Sequence, residues 1–65
     1  MLKNIEAERA RLGLTMLEVG KELGITPETY SSYVHRKRPI PSDTLVLMTK
    51  LFGKTADYLL GLTDE

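Results

Sequence analysis

Cysteine and tryptophan are missing from this 65-residue chain. Without thiols there is no disulfide framework and no thiolate metal site. Histidine occurs once, at His35, so a centre built from several imidazoles is excluded too. No apolar run approaches the roughly 20 residues that a membrane-spanning helix needs, and the N-terminus lacks the apolar stretch of a secretory signal. No segment alternates apolar and polar residues with the period of two that marks a half-buried strand. Repeats, linkers and low-complexity segments are absent as well. One histidine and no convergent acid–base pair leave nothing to carry a reaction. The expectation is therefore a cytoplasmic, all-α domain over residues 1–65. It is not an enzyme and has no cofactor, no metal, no small-molecule substrate and no membrane partner.

An excess of charge is missing too: 9 Lys and Arg offset 9 Asp and Glu. The distribution is less even than the sum. Residues 1–24 cancel. Residues 25–41 carry Arg36, Lys37 and Arg38 against Glu28, while residues 42–65 carry an acidic excess. A basic patch on a neutral body suits phosphate contact along one edge. A plain solvated loop accounts for the same short run equally well.

What is present is a stretch, MLEVGKELGITPETYSSYVH over residues 16–35, that reads as two short helices around a turn at Gly24. Val19, Leu23, Ile25, Tyr30 and Tyr33 fall on one inward face. Small Gly20, four residues before the turn, lets the second helix approach the first. Two helices crossing steeply over about three to four residues make a helix-turn-helix. The second of them, over about residues 27–35, is then the element for a DNA major groove.

Helix punctuation around this motif predicts a compact bundle of five short helices. The first spans about residues 2–12, with Ile5, Arg9 and Leu12 on one face and Gly13 as its stop. Thr15 with Glu18 forms a capping box for the second, in which each side chain satisfies a backbone N–H of the other residue. Thr26 caps the third, with Pro27 at its first position and Glu28 near the positive end of the helix dipole. Pro39 and Pro41 forbid helix between the basic run and Ser42. Ser42 and Asp43 open the fourth helix, which stops at Gly53, with Leu45, Met48 and Phe52 along one stripe. A short fifth runs over residues 55–60. The expected core comprises Ile5, Leu12, Leu14, Val19, Leu23, Ile25, Tyr30, Tyr33, Leu45, Met48, Phe52, Tyr58, Leu59 and Leu62.

Four segments, AERARLGLT, LGIT, KRPIPS and LFGKTADYLLG, stand in order and cover nearly the whole chain. In these the chain resembles the lambda-repressor-like, Xre-type helix-turn-helix domains of phage repressors and bacterial regulators. The resemblance implies five short helices, double-stranded DNA as ligand, and a homodimer on a near-palindromic site acting as a transcriptional repressor. It places base-reading positions on Pro27, Glu28, Thr29 and Ser32, and backbone-contacting positions on Met16, Ser31 and the loop of Arg36, Lys37 and Arg38. Chemistry agrees for part of this set. Thr29 and Ser32 can donate to or accept from base edges, and Glu28 can accept from a cytosine amino group. For Thr26 and Pro27, both candidates for DNA contact, helix capping accounts for the residue equally well, and for Glu28 less well than base reading does.

The chain departs from that family in four places. Met16 stands where a phosphate-bonding Gln is common. Val34 stands where a Glu commonly pairs with the Arg of the first helix, so Arg9 needs another acceptor. Arg36 stands where Gly commonly takes a left-handed conformation, at about 1 kcal/mol if the conformation is kept. Finally, the third helix has no Gln, Arg or Asn for bidentate base readout. Leu47 and Leu51, with Leu60, are candidates for an exposed dimer patch. A different class of function, a protein-interaction module on the same scaffold, is compatible with Met16, zero net charge and that patch.

Overall fold

Capping residues divide the chain into five helices. The computed structural model describes residues 1–64, with α1 at Lys3–Leu12, α2 at Met16–Leu23, α3 at Pro27–Val34, α4 at Ser42–Phe52 and α5 at Ala56–Leu59. Among the described residues there is no strand, and no helix is long and apolar enough to cross a membrane. The all-α bundle of five short helices with a helix-turn-helix is the fold that the punctuation predicts. Thr15 and Glu18 form the reciprocal capping box, at 3.1 Å and 2.9 Å. Thr26 and Thr55 each accept the backbone N–H three residues on, both at 3.1 Å. These side chains satisfy donors that a helix start leaves orphaned.

The fourth helix begins differently from the expectation. Pro41, extended at ψ 149°, holds the cap position, and no side chain caps the end. Ser42 is already helical, and the Pro41 carbonyl accepts the first helical bond from Leu45 at 2.9 Å. Asp43 instead binds the neighbouring Thr44 N–H at 2.9 Å.

One apolar cluster joins all five helices. It contains Leu2, Ile5, Val19, Leu23, Tyr30, Tyr33, Val34, Met48, Phe52 and Leu59, with Leu14, Ile25, Ile40, Leu51, Tyr58 and Leu60 packed against it. Three expected core residues lie elsewhere. Leu12 is exposed, because the left-handed turn at Gly13 reverses the chain and brings Leu14 onto the core in its place. Leu62 follows a second left-handed turn at Gly61 and is 73% exposed. Leu45 is only half-buried and lies outside the cluster.

The candidate dimer patch is also narrower than expected. Leu51 and Leu60 are half-buried and lean on the core, whereas Leu47 is exposed beside Val46. Helical periodicity alone does not separate a residue on the flank of a buried stripe from one beyond it.

Arg9 finds its carboxylate within its own helix. It binds Glu6 in a two-pronged pair at 2.9 Å and 3.0 Å and donates to the Leu14 carbonyl at 2.6 Å. Tyr30 of α3 donates its hydroxyl to the same Glu6 at 2.5 Å. Val34 is thereby free to join the core, and Glu6 ties α1 to α3. A second set repeats the arrangement on the other side of α1. Glu8 accepts from Arg11 at 2.6 Å and from the Tyr58 hydroxyl at 3.1 Å. Hydrogen bonds from Arg9 and Arg11 hold Glu6 and Glu8 below the ordinary carboxylate range, against the opposing effect of burial. Burial first, and then the bond to Glu6, pushes the Tyr30 hydroxyl up.

Candidate nucleic-acid interface

Glycine sets the approach of α3 to α2. A Cβ on Gly20 would lie 2.6 Å from the Ile25 carbonyl oxygen, so any side chain there forces the corner open. The same carbonyl region is fixed by hydrogen bonds. Ile25 N–H donates to Gly20 at 2.8 Å and Gly24 N–H to Lys21 at 3.3 Å, around a left-handed Gly24 at φ 72°. This pair of bonds closes a helix end in the Schellman manner.

From that corner α3 buries Tyr30, Tyr33 and Val34. At 3.6 residues per turn, the opposite face carries Glu28, Ser31, Ser32 and His35, flanked by Pro27 and Thr29. Glu28 and His35 are exposed, while Pro27, Thr29, Ser31 and Ser32 are half-buried. Both tyrosines are core residues, so neither offers a ring to stack on a base. Thr26 is committed to its cap: besides accepting from Thr29 N–H, its hydroxyl donates to the Thr29 hydroxyl at 3.0 Å. His35 joins this face through a bond that sequence reading missed. Its Nδ1 lies 2.9 Å from the Ser31 carbonyl, which can only accept, so Nε2 is the nitrogen open to a partner. The i, i+4 spacing of Ser31 and His35 was the available signal. Met16 opens α2 and is 37% exposed.

The exit from α3 repeats the Schellman closure without glycine. Arg36 N–H donates to Tyr33 at 3.1 Å and Lys37 N–H to Ser32 at 2.9 Å. Arg36 takes the left-handed position at φ 61° and is the sole non-glycine residue with positive φ among the described residues. This turn divides the basic run. Lys37 is exposed and has no ion-pair partner among the described residues. Arg38 lies over the Tyr33 ring, 5.8 Å from its centroid. Arg36 and Arg38 also line an open groove of about 460 Å³ with Leu2, Tyr33, Ile40 and Leu60, from which Lys37 is absent. Sequence order showed one patch, whereas the left-handed turn makes two environments.

A helix-turn-helix family model matches residues 5–59. Over 52 residues the chain is 36% identical to an uncharacterized HTH-type transcriptional regulator, YobD, of Bacillus subtilis strain 168, a match covering 80% of this chain and 46% of that protein. Over 59 residues it is 32% identical to the HTH-type transcriptional regulator ImmR of the same organism, covering 91% of this chain and 46% of that protein. The chain thus spans a little under half the length of the curated relatives it matches. No solved structure matches it. The matched span contains the Gly20–Ile25 corner, the Thr26-capped third helix and the basic exit turn, and the chain belongs to the lambda-repressor-like, Xre-type helix-turn-helix family.

Proposed function

We propose that this chain is the DNA-binding part of a transcriptional repressor and that α3 lies in the major groove of double-stranded DNA. The observation that carries this reading is the outer face of α3. Half-buried short polar side chains at Thr29, Ser31 and Ser32, with exposed Glu28, lie on the face away from buried Tyr30, Tyr33 and Val34, next to an exposed Lys37. Base-edge contact needs short polar groups on an unencumbered helix, and phosphate contact needs a cation at its rim.

The roles divide by chemistry. Glu28 accepts from a cytosine amino group. Ser32 and Thr29 meet base edges, the Thr29 methyl lying against a thymine methyl. Pro27 contributes apolar contact alone. Ser31 and the basic residues Arg36, Lys37 and Arg38 hold the backbone, with Thr26 contributing through the helix end it caps. Without a bidentate reader, selectivity leans on DNA shape as well as on base edges. Two copies joined through exposed Leu47, with Leu51 and Leu60 behind it, place their third helices about 34 Å apart, one turn of the duplex. Occupancy of a promoter then represses without catalysis.

Selection of bound sites from random duplex DNA is the direct test, with a near-palindromic consensus as the expected outcome. Affinity measured across salt concentrations tests the docking. The Lys37→Ala/Arg38→Ala variant is expected to bind all duplexes more weakly and to flatten the salt slope by about 2, one for each phosphate left without its cation. Ser32→Ala is expected to change site preference at unaltered slope. An unaltered affinity and slope in the double variant would overturn the docking. Sedimentation of Leu47→Asp against the wild type tests the dimer, which the variant is expected to dissociate.

A further inference from the structure

We propose that the groove between the exit of α3 and the end of α5 binds a short acidic, apolar peptide segment of a partner protein. This site is distinct from the outer face of α3, but its Arg36 and Arg38 are also phosphate-holding residues of the proposed function, so a bound peptide and a bound duplex compete for them. Its floor is apolar, from Leu2, Ile40 and Leu60, and its open wall is Leu62, which is 73% exposed. Its rim is cationic, from Arg36 and Arg38, and among the described residues no carboxylate lines it. At about 460 Å³ it falls within the size range of small ligand sites, about 300–1,000 Å³.

The two halves of that lining select the occupant together. An apolar ligand alone covers the leucines but strips water from two guanidinium groups and returns no partner. A bare anion, or a nucleic-acid backbone, pairs the guanidiniums but leaves the leucines wet. A segment with carboxylates between leucine-like side chains satisfies both. One of the two guanidiniums is held by its neighbour. Arg38 rests on the Tyr33 ring, while Arg36 is fixed at its backbone by a left-handed turn closed by two hydrogen bonds. A non-glycine residue held in that region marks a position fixed by its surroundings. Arg36 has no ion-pair partner among the described residues. On its other side, a neighbouring groove gathers Lys3 and Asp64 beside it.

The test is a methyl and amide NMR titration of the whole chain with two synthetic peptides, acetyl-LELDL-amide and its uncharged counterpart acetyl-LQLNL-amide. The acidic peptide is expected to shift the resonances of Leu2, Ile40, Leu60 and Leu62, and to bind about tenfold more tightly than the uncharged one, as one charge-assisted pair gives. Arg36→Gln is expected to remove that tenfold preference. Arg36→Gly removes the same guanidinium while easing the backbone, so it separates loss of binding from loss of folding and is expected to bind as weakly as Arg36→Gln. Four results overturn the proposal: equal affinity for both peptides, no binding of either, shifts centred on Val46 and Leu47 instead, or groove methyls that move on dilution of the protein alone, which assigns the groove to a second copy of the chain.

Discussion

The helices before and after the α3 entrance corner end in the same pair of backbone hydrogen bonds, but with different residues at the left-handed position. At the end of α2 that residue is Gly24, at φ 72°, and at the end of α3 it is Arg36, at φ 61°. The first corner has one task, which is to bring two helices together. It uses residues with no side chain, since Gly20 touches the Ile25 backbone and Gly24 turns the chain. The second corner accepts a conformation that disfavours a side chain in order to present one. Its neighbours over-determine it: Leu2 N–H donates to the Val34 carbonyl at 2.7 Å, and Val34 and Tyr33 are buried. Identical backbone geometry serves closeness of approach at one end of α3 and display of charge at the other.

The largest effect expected from disturbing this contrast is at the first corner. Gly20→Ala places a methyl 2.6 Å from the Ile25 carbonyl oxygen, in a turn that two backbone hydrogen bonds close. It should lower unfolding free energy by about 3 kcal/mol or more, read from the urea midpoint. A small effect there would mean that the corner yields, and that close approach is not what the glycine provides.

Acid should loosen the support behind the second corner next. Glu6 and Glu8 titrate in the folded chain below the ordinary carboxylate range, because Arg9 and Arg11 hold them charged. Their contribution is therefore complete above that range and is lost as pH falls through the lowered folded values. Stability is expected to be level at neutral pH and to decline in the acid range. Tyr30→Phe, which leaves Glu6 without its α3 donor, should cost about 1 kcal/mol at neutral pH and shrink the acid decline. A decline that stays unaltered in the variant would place the titrating group elsewhere.

The smallest effects compare the two left-handed residues directly. Gly24→Ala should cost about 1 kcal/mol, and Arg36→Gly should stabilise by about the same amount, with opposite signs for one backbone geometry. If both substitutions destabilise, Arg36 makes a stabilising contact that exceeds its backbone cost.

Much of this architecture was legible from sequence because its signals are local. Thr15 with Glu18, Thr26 with Pro27, and the glycines at 13, 24 and 53 act within one turn of themselves, and each stands where the structure uses it. Gly20 was legible from its offset to the turn. Side chains whose fate depends on a distant element were not. Leu12 and Leu14 are both apolar near a helix end, and only the path after Gly13 decides which reaches the core. Glu8 is buried and accepts from Tyr58, 50 residues away. The outer face of α3 follows from helical period, but the division of Arg36, Lys37 and Arg38 follows from one backbone angle, which no pattern of residue types reports.

The Leu2–Val34 hydrogen bond makes the chain's beginning a structural neighbour of the last turn of α3. An orphan carbonyl at that turn is answered by the backbone N–H of the second residue. Hydrogen exchange at this amide therefore reports the integrity of the α3 terminus from a residue outside α3.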